Sequence, residues 1–92
     1  MNLSRSITIS GRVQGVYYRS SAVDVGKALA LVGWVMNMNN GDVKAHVQGS
    51  EEAVERFITW CHEGPSLASV QHVEVEPAIF EPGMKAFEIR YL

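Results

Sequence analysis

A chain of 92 residues, 47% hydrophobic and 20% charged, has the composition of one small globular domain spanning 1–92 and not of a disordered tail. Its single cysteine, Cys61, excludes an intramolecular disulfide framework. An N-terminus without an apolar core, and no apolar run long enough for a bilayer, point to a soluble cytoplasmic protein that does not enter membranes. The net charge of −2 divides into +3 over residues 1–46 and −5 over residues 47–92, a modest basic half that suits one small anion better than a nucleic-acid backbone.

Ser6–Ser10 alternates polar and apolar residues and reads as a strand with one buried face. A glycine-bracketed segment follows, Gly11-Arg12-Val13-Gln14-Gly15-Val16. A helix is expected from Ser20 or Ser21, since either hydroxyl can cap it and Ser21 with Asp24 has capping-box spacing. Ala22, Val25, Leu29 and Val32 then make an apolar stripe that Gly33 ends. Gly33–Met38 reads as the second strand, with Asn40-Gly41 forming a two-residue type I′ turn. The return strand Val43–Gln48 points Val43, Ala45 and Val47 inward and Lys44, His46 and Gln48 outward. Ser50 is placed to cap a second helix. Glu51 and Glu52 suit its first turn, and Val54, Phe57, Ile58 and Cys61 form its buried face. Gly64-Pro65 stops it, Val73–Glu76 reads as a strand, Pro77–Gly83 as a loop and Phe87–Tyr91 as a closing strand. This order suits an α+β fold of the split βαβ kind, an antiparallel sheet with both helices on one face. The other face, bearing Lys44, His46 and Gln48, is expected to be wet.

The junction from Gly11 to Arg19 is where chemistry is expected. A strand-to-helix turn exposes the first amides of the helix and the positive end of its dipole, and a glycine loop there can curl amides around one anion. Arg19 adds a planar fork that matches two phosphate oxygens. The segment is neither a Walker loop, lacking the Lys-Ser/Thr pair, nor a dinucleotide fingerprint, whose glycine spacing differs. His46, His62 and His72 show no metal-ligand spacing, and Cys61 lies on an apolar stripe, so no metal site and no thiol nucleophile are expected.

The run Ile9-x-Gly11-x-Val13-Gln14-Gly15-Val16-x-Tyr18-Arg19 resembles the signature of the acylphosphatase family. Gly33-Trp34-Val35-Met36-Asn37, Gly41-x-Val43, Gly49, Gly64-Pro65-x-x-Ala68-x-Val70 and Phe87-x-Ile89 follow in matching register over nearly the whole chain. The resemblance implies a ferredoxin-like α/β (α+β) sandwich of four to five strands. It implies hydrolysis of the carboxyl-phosphate bond of acyl phosphates to a carboxylate and inorganic phosphate. The family's catalytic arginine falls on Arg19 and its catalytic asparagine on Asn37. Its phosphate cradle falls on Gln14, Gly15, Val16, Tyr17 and Tyr18, together with Arg19. No cofactor and no metal are implied, and the partner is a small-molecule acyl phosphate met by a monomer, not a nucleic acid or a membrane. Two positions depart from the family pattern. Tyr18 stands where Phe or Met is usual, so its hydroxyl must find a partner. Ala30 stands where Gly is usual, at a cost of about 1 kcal/mol if the backbone there has positive φ. The alternative is a non-catalytic phosphate-binding or regulatory domain of the same family, against which the presence of both Arg19 and Asn37 speaks. A single-strand RNA-binding sheet would need clustered aromatics that the strands lack.

Overall fold

The computed structural model describes residues 2–92 and pairs five strands in one sheet. In chain order the elements are β1 (Asn2–Arg12), α1 (Tyr18–Ala28), β2 (Val32–Asn37), β3 (Val43–Ser50), α2 (Glu51–Glu63), β4 (Ser69–Pro77) and β5 (Phe87–Ile89). The strand order is β4-β1-β3-β2-β5. β1 pairs antiparallel with both β3 and β4, and β3 antiparallel with β2. Two βαβ units therefore interlock, each with a strand of the other between its own two. The sheet is not purely antiparallel, as the sequence suggested, because β5 joins the far edge parallel to β2.

The alternation read from the sequence decides which face is buried. Ile7 pairs with Ala45 and Ile9 with Val43, and Val35 lies across from Ala45, so all five share the helix side and are sealed from water. Against them pack Val54, Phe57 and Cys61 of α2 and Ala22 of α1. Phe57 meets Phe87 of β5 at 5.5 Å between ring centres, which ties α2 to the sheet, and Trp60 of the same helix stands 5.9 Å from Phe57. As expected, the Ser50 hydroxyl accepts the Ala53 N–H at 3.2 Å and Gly64 closes α2 with φ 68.

The first helix departs from expectation at both ends. It starts at Tyr18, before either serine, and its N-cap is Tyr17 in the left-handed region with no side-chain cap. The Ser21–Asp24 capping box does not form, and the Ser20 hydroxyl instead donates to the Tyr17 carbonyl at 3.2 Å. The helix ends at Ala28 and not at Gly33, which lies inside β2. Ala30 N–H bonds Lys27 O and Leu31 N–H bonds Gly26 O, the paired bonds of a Schellman stop. That motif puts Ala30 at φ 58, so the positive-φ condition is met and alanine costs about 1 kcal/mol or more relative to glycine there.

Two loops also differ. The β2–β3 turn is not a two-residue type I′ turn: Met38 N–H bonds Asp42 O at 2.8 Å, which leaves three residues in the loop. Of these only Gly41 has positive φ, as in a turn followed by a bulge. Asn40 serves through its side chain, accepting the Asp42 N–H at 3.0 Å. Nor is the open face of the sheet simply wet. The chain must travel from β4 at one edge to β5 at the other, and residues 78–86 cross that face. Gln48 clasps the crossing: its Nε2 donates to Glu81 O at 2.8 Å and its Oε1 accepts Glu81 N–H at 3.0 Å. His46 and Gln48 are consequently 6% and 2% exposed, although alternation set them opposite the core. His46 Nε2 stands 2.8 Å from Gln48 Oε1, and its ring stacks on Trp34.

Candidate active site

The five residues between β1 and α1 are held from below and open above. Val13 and Val16 are sunk in the core, which fixes the loop, while Gly15 and Tyr17 turn it with φ 75 and 67. A Cβ on Gly15 would meet no atom within 4 Å, so glycine is required there for its backbone angle and not for space. Tyr17 adopts the same region without being glycine and sends its side chain to solvent. Successive amides in such a turn converge on one side. The first N–H of α1 with a helical acceptor is that of Ser21, which donates to the carbonyl of the N-cap Tyr17 at 3.1 Å. Helix geometry leaves the preceding N–H groups of Tyr18, Arg19 and Ser20 without intrahelical acceptors, at the positive end of the dipole. A hydroxyl cap would have consumed one of these donors, and its lack is why the serine-based boundary failed.

A cavity of about 300 Å³ lies over this loop, lined by Gly15, Tyr17, Arg19 and Ser20 on one side and Asn37 and Ile89 on the other. A second, of about 510 Å³, adjoins it and shares Arg19 and Asn37 with it, adding Gln14, Met38, Arg90 and Tyr91 among others. The two residues thus lie at one place, although 18 positions apart in sequence. Among the described residues no carboxylate forms an ion pair with Arg19, whose guanidinium carbon sits 5.5 Å from the centre of the Tyr91 ring. The aromatic face supports the cation without neutralising it. Asn37, the last residue of β2, has its Oδ1 buried with no hydrogen-bond partner. An acceptor that no protein group satisfies, at the wall of a cavity, is placed to take a donor that enters from outside.

The remaining sequence candidates contribute differently from one another. Gly15 and Tyr17 line the cavity, and Val16 can offer only its amide because its side chain is core. The Gln14 carboxamide turns to the β2–β3 hairpin, where its Nε2 donates to Met38 O and Asp42 O, each at 2.8 Å. The Tyr18 hydroxyl finds its partner in the core, donating to Cys61 O at 2.8 Å. That carbonyl needs it: four residues on from Cys61 stands Pro65, which has no N–H to complete the helical bond. Burial drives the Tyr18 phenol well above its ordinary range and pushes the Cys61 thiol up to about 12. Both are neutral at pH 7, so Cys61 is no nucleophile. Sequence reasoning missed Ser20, Ile89 and Tyr91 at the site. The last two arrive through the parallel docking of β5 beside β2, a pairing for which the alternation of Phe87–Tyr91 carries no signal.

No group of three or more His, Cys, Asp or Glu side chains among the described residues is arranged to hold a metal ion, and no helix among them is long and apolar enough to cross a membrane. Residues 5–89 match the family model Acylphosphatase. An acylphosphatase of Anaeromyxobacter dehalogenans is 48% identical over 85 residues, 92% of this chain and 91% of that protein. One of Geobacter metallireducens is 41% identical over 91 residues, 99% of this chain and 98% of that protein. The solved acylphosphatase of Coxiella burnetii superposes with a TM-score of 0.92 at 34% identity, covering 97% of this chain and 93% of that one. Likeness of this extent, in sequence and in backbone alike, means that the chain belongs to the acylphosphatase family.

Proposed function

We propose that the chain hydrolyses acyl phosphates at the Arg19–Asn37 cavity. The phosphoryl group is held by the backbone N–H groups from Gln14 to Arg19 and by the Arg19 guanidinium. The observation that carries the reading is the unpaired, buried Oδ1 of Asn37 in the same cavity as an arginine with no carboxylate partner. A carboxamide oxygen accepts a hydrogen bond but is too weak a base to remove a proton at neutral pH. Its use is to accept an O–H of a water molecule and so aim the water's lone pair at phosphorus. Water then attacks in line, a new P–O bond forms, and the bond between phosphorus and the acyl oxygen breaks with its electron pair on the departing carboxylate. The proton shed by water ends on the phosphate. A carboxylate is a good leaving group, so the site needs no strong acid. Its work is to hold three non-bridging oxygens and to neutralise their charge, which amides and a guanidinium do.

The same core receives both helices and strands from both halves of the sequence, which supports residues 1–92 acting as one domain. The sheet face that an RNA-binding module would use is crossed by residues 78–86, which speaks against that alternative. The test is hydrolysis by protein treated with a chelator, comparing acetyl phosphate with p-nitrophenyl phosphate. Turnover of the first far above that of the second, unchanged by the chelator, is the expected result. Equal rates on both, or phosphate binding with no hydrolysis of the acyl phosphate, would contradict the reading and favour the regulatory one.

A further inference from the structure

Gln14 belongs to the loop whose amides face the cavity, yet its side chain is committed elsewhere. One primary amide nitrogen, Nε2, lies 2.8 Å from Met38 O and 2.8 Å from Asp42 O, so both of its hydrogens are directed to the same hairpin. Those two carbonyls belong to the residues that close the β2–β3 turn. Asp42 O also accepts Met38 N–H at 2.8 Å, and Met38 O accepts Gly41 N–H at 3.2 Å. The carboxamide therefore completes the turn from outside and ties it to the loop. Met38 directly follows Asn37. Asn37 Oδ1 has no bond of its own to hold it, so it is placed by the strand end that carries it.

We infer that Gln14 is a positioning residue for the reaction: its side chain fixes the distance between the phosphate loop and Asn37, and with it the line along which water approaches phosphorus. The inference rests on the role given above to Asn37. Neither shorter nor donor-free side chains can replace it. Asparagine is one methylene short, glutamate at neutral pH has no donor and would face two carbonyl oxygens, and methionine has the length without the hydrogens. Val13 and Val16, sunk in the core on either side, anchor the loop independently of these two bonds, so the consequence falls on the attacking geometry more than on phosphate capture.

The experiment compares wild type, Gln14→Met, Asn37→Ala and the double variant in acetyl phosphate hydrolysis, with inhibition by inorganic phosphate and thermal unfolding measured for each. Gln14→Met is expected to lower kcat about 10- to 100-fold, the scale of a small misplacement of a reacting group, with the inhibition constant for phosphate little changed. In the Asn37→Ala background the same substitution is expected to change kcat by less than about twofold, because it acts through a group already removed. An unchanged kcat in Gln14→Met, independent effects that multiply in the double variant, or a loss of phosphate affinity matching the loss of kcat would each overturn the inference. Asn37→Ala with full turnover would overturn the water-aiming role itself. Gln14→Glu supplies a readout within one protein should Gln14→Met fold poorly. Its rate relative to wild type is expected to recover as pH falls and the carboxyl regains a donor, and a ratio flat with pH would count against the inference.

Discussion

Arg19→Gln is expected to lower kcat for acyl phosphate hydrolysis by about 10²–10³-fold and to weaken inhibition by inorganic phosphate as well. In the proposed mechanism the guanidinium is the one full positive charge that the loop and helix start bring to the phosphoryl group. Charge grows on the equatorial oxygens as the bond to the leaving group stretches, so the contribution of Arg19 is felt in the bound state and more strongly at the transition state. Arg19→Lys is expected to fare nearly as badly. An ammonium is a point charge on a mobile stem, whereas the fork presents parallel N–H groups to two oxygens, and the Tyr91 ring 5.5 Å away supports a flat cation. The fold should survive both changes, since Arg19 is only half-buried and makes no ion pair among the described residues. Steady-state kinetics and thermal unfolding check both points. Near wild-type turnover in either variant would remove Arg19 from the mechanism.

Asn37→Ala is expected to cost a similar 10²–10³ in kcat while leaving phosphate inhibition nearly intact, a separation that distinguishes it from Arg19. In the proposed mechanism Asn37 handles water and not phosphate, so ground-state capture by the loop continues without it. Its effect on stability should be small. No protein group bonds the Asn37 oxygen, so its removal breaks no internal hydrogen bond and the urea midpoint is expected to stay near that of wild type. Loss of activity with stability kept is the mark of a residue retained for its chemistry. A fall in stability parallel to the fall in rate would instead make Asn37 a structural residue of the β2 end.

How much of this could be read from the chain depends on the kind of signal each residue carries. β3 was legible because Val43, Ala45 and Val47 alternate with polar neighbours, and α2 because Ser50 and Gly64-Pro65 bracket an apolar stripe. α1 starts two or three residues before Ser20 and Ser21, the residues whose type marks a cap. The structure uses a left-handed tyrosine instead, which leaves amides free where an anion needs them. Ala30 carries no such mark, because residue type indicates a left-handed backbone only at glycine or asparagine. The β2–β3 turn differs in the opposite sense: Asn40-Gly41 suggests positive φ at both positions, yet only Gly41 adopts it and Asn40 works through its side chain. His46 and Gln48 looked solvent-facing because burial by a crossing loop depends on the β4-to-β5 path, which no local pattern encodes. At the site, Gly11–Arg19 stood out on physical grounds alone. Asn37 did not: a polar residue at a strand end is unremarkable, and it was singled out through the family resemblance. The geometry adds what the resemblance lacked, an oxygen without a partner in the cavity that holds Arg19, and a glutamine side chain that binds the two segments together.

The most direct measurement is a crystal structure of the protein grown with inorganic phosphate. The account predicts the ion seated over Gly15 and Val16, within hydrogen-bond reach of loop amides and of both arms of Arg19, with one ordered water between it and Asn37 Oδ1. A phosphate bound elsewhere, with that guanidinium turned to solvent and the Asn37 oxygen satisfied by a protein donor, would contradict it.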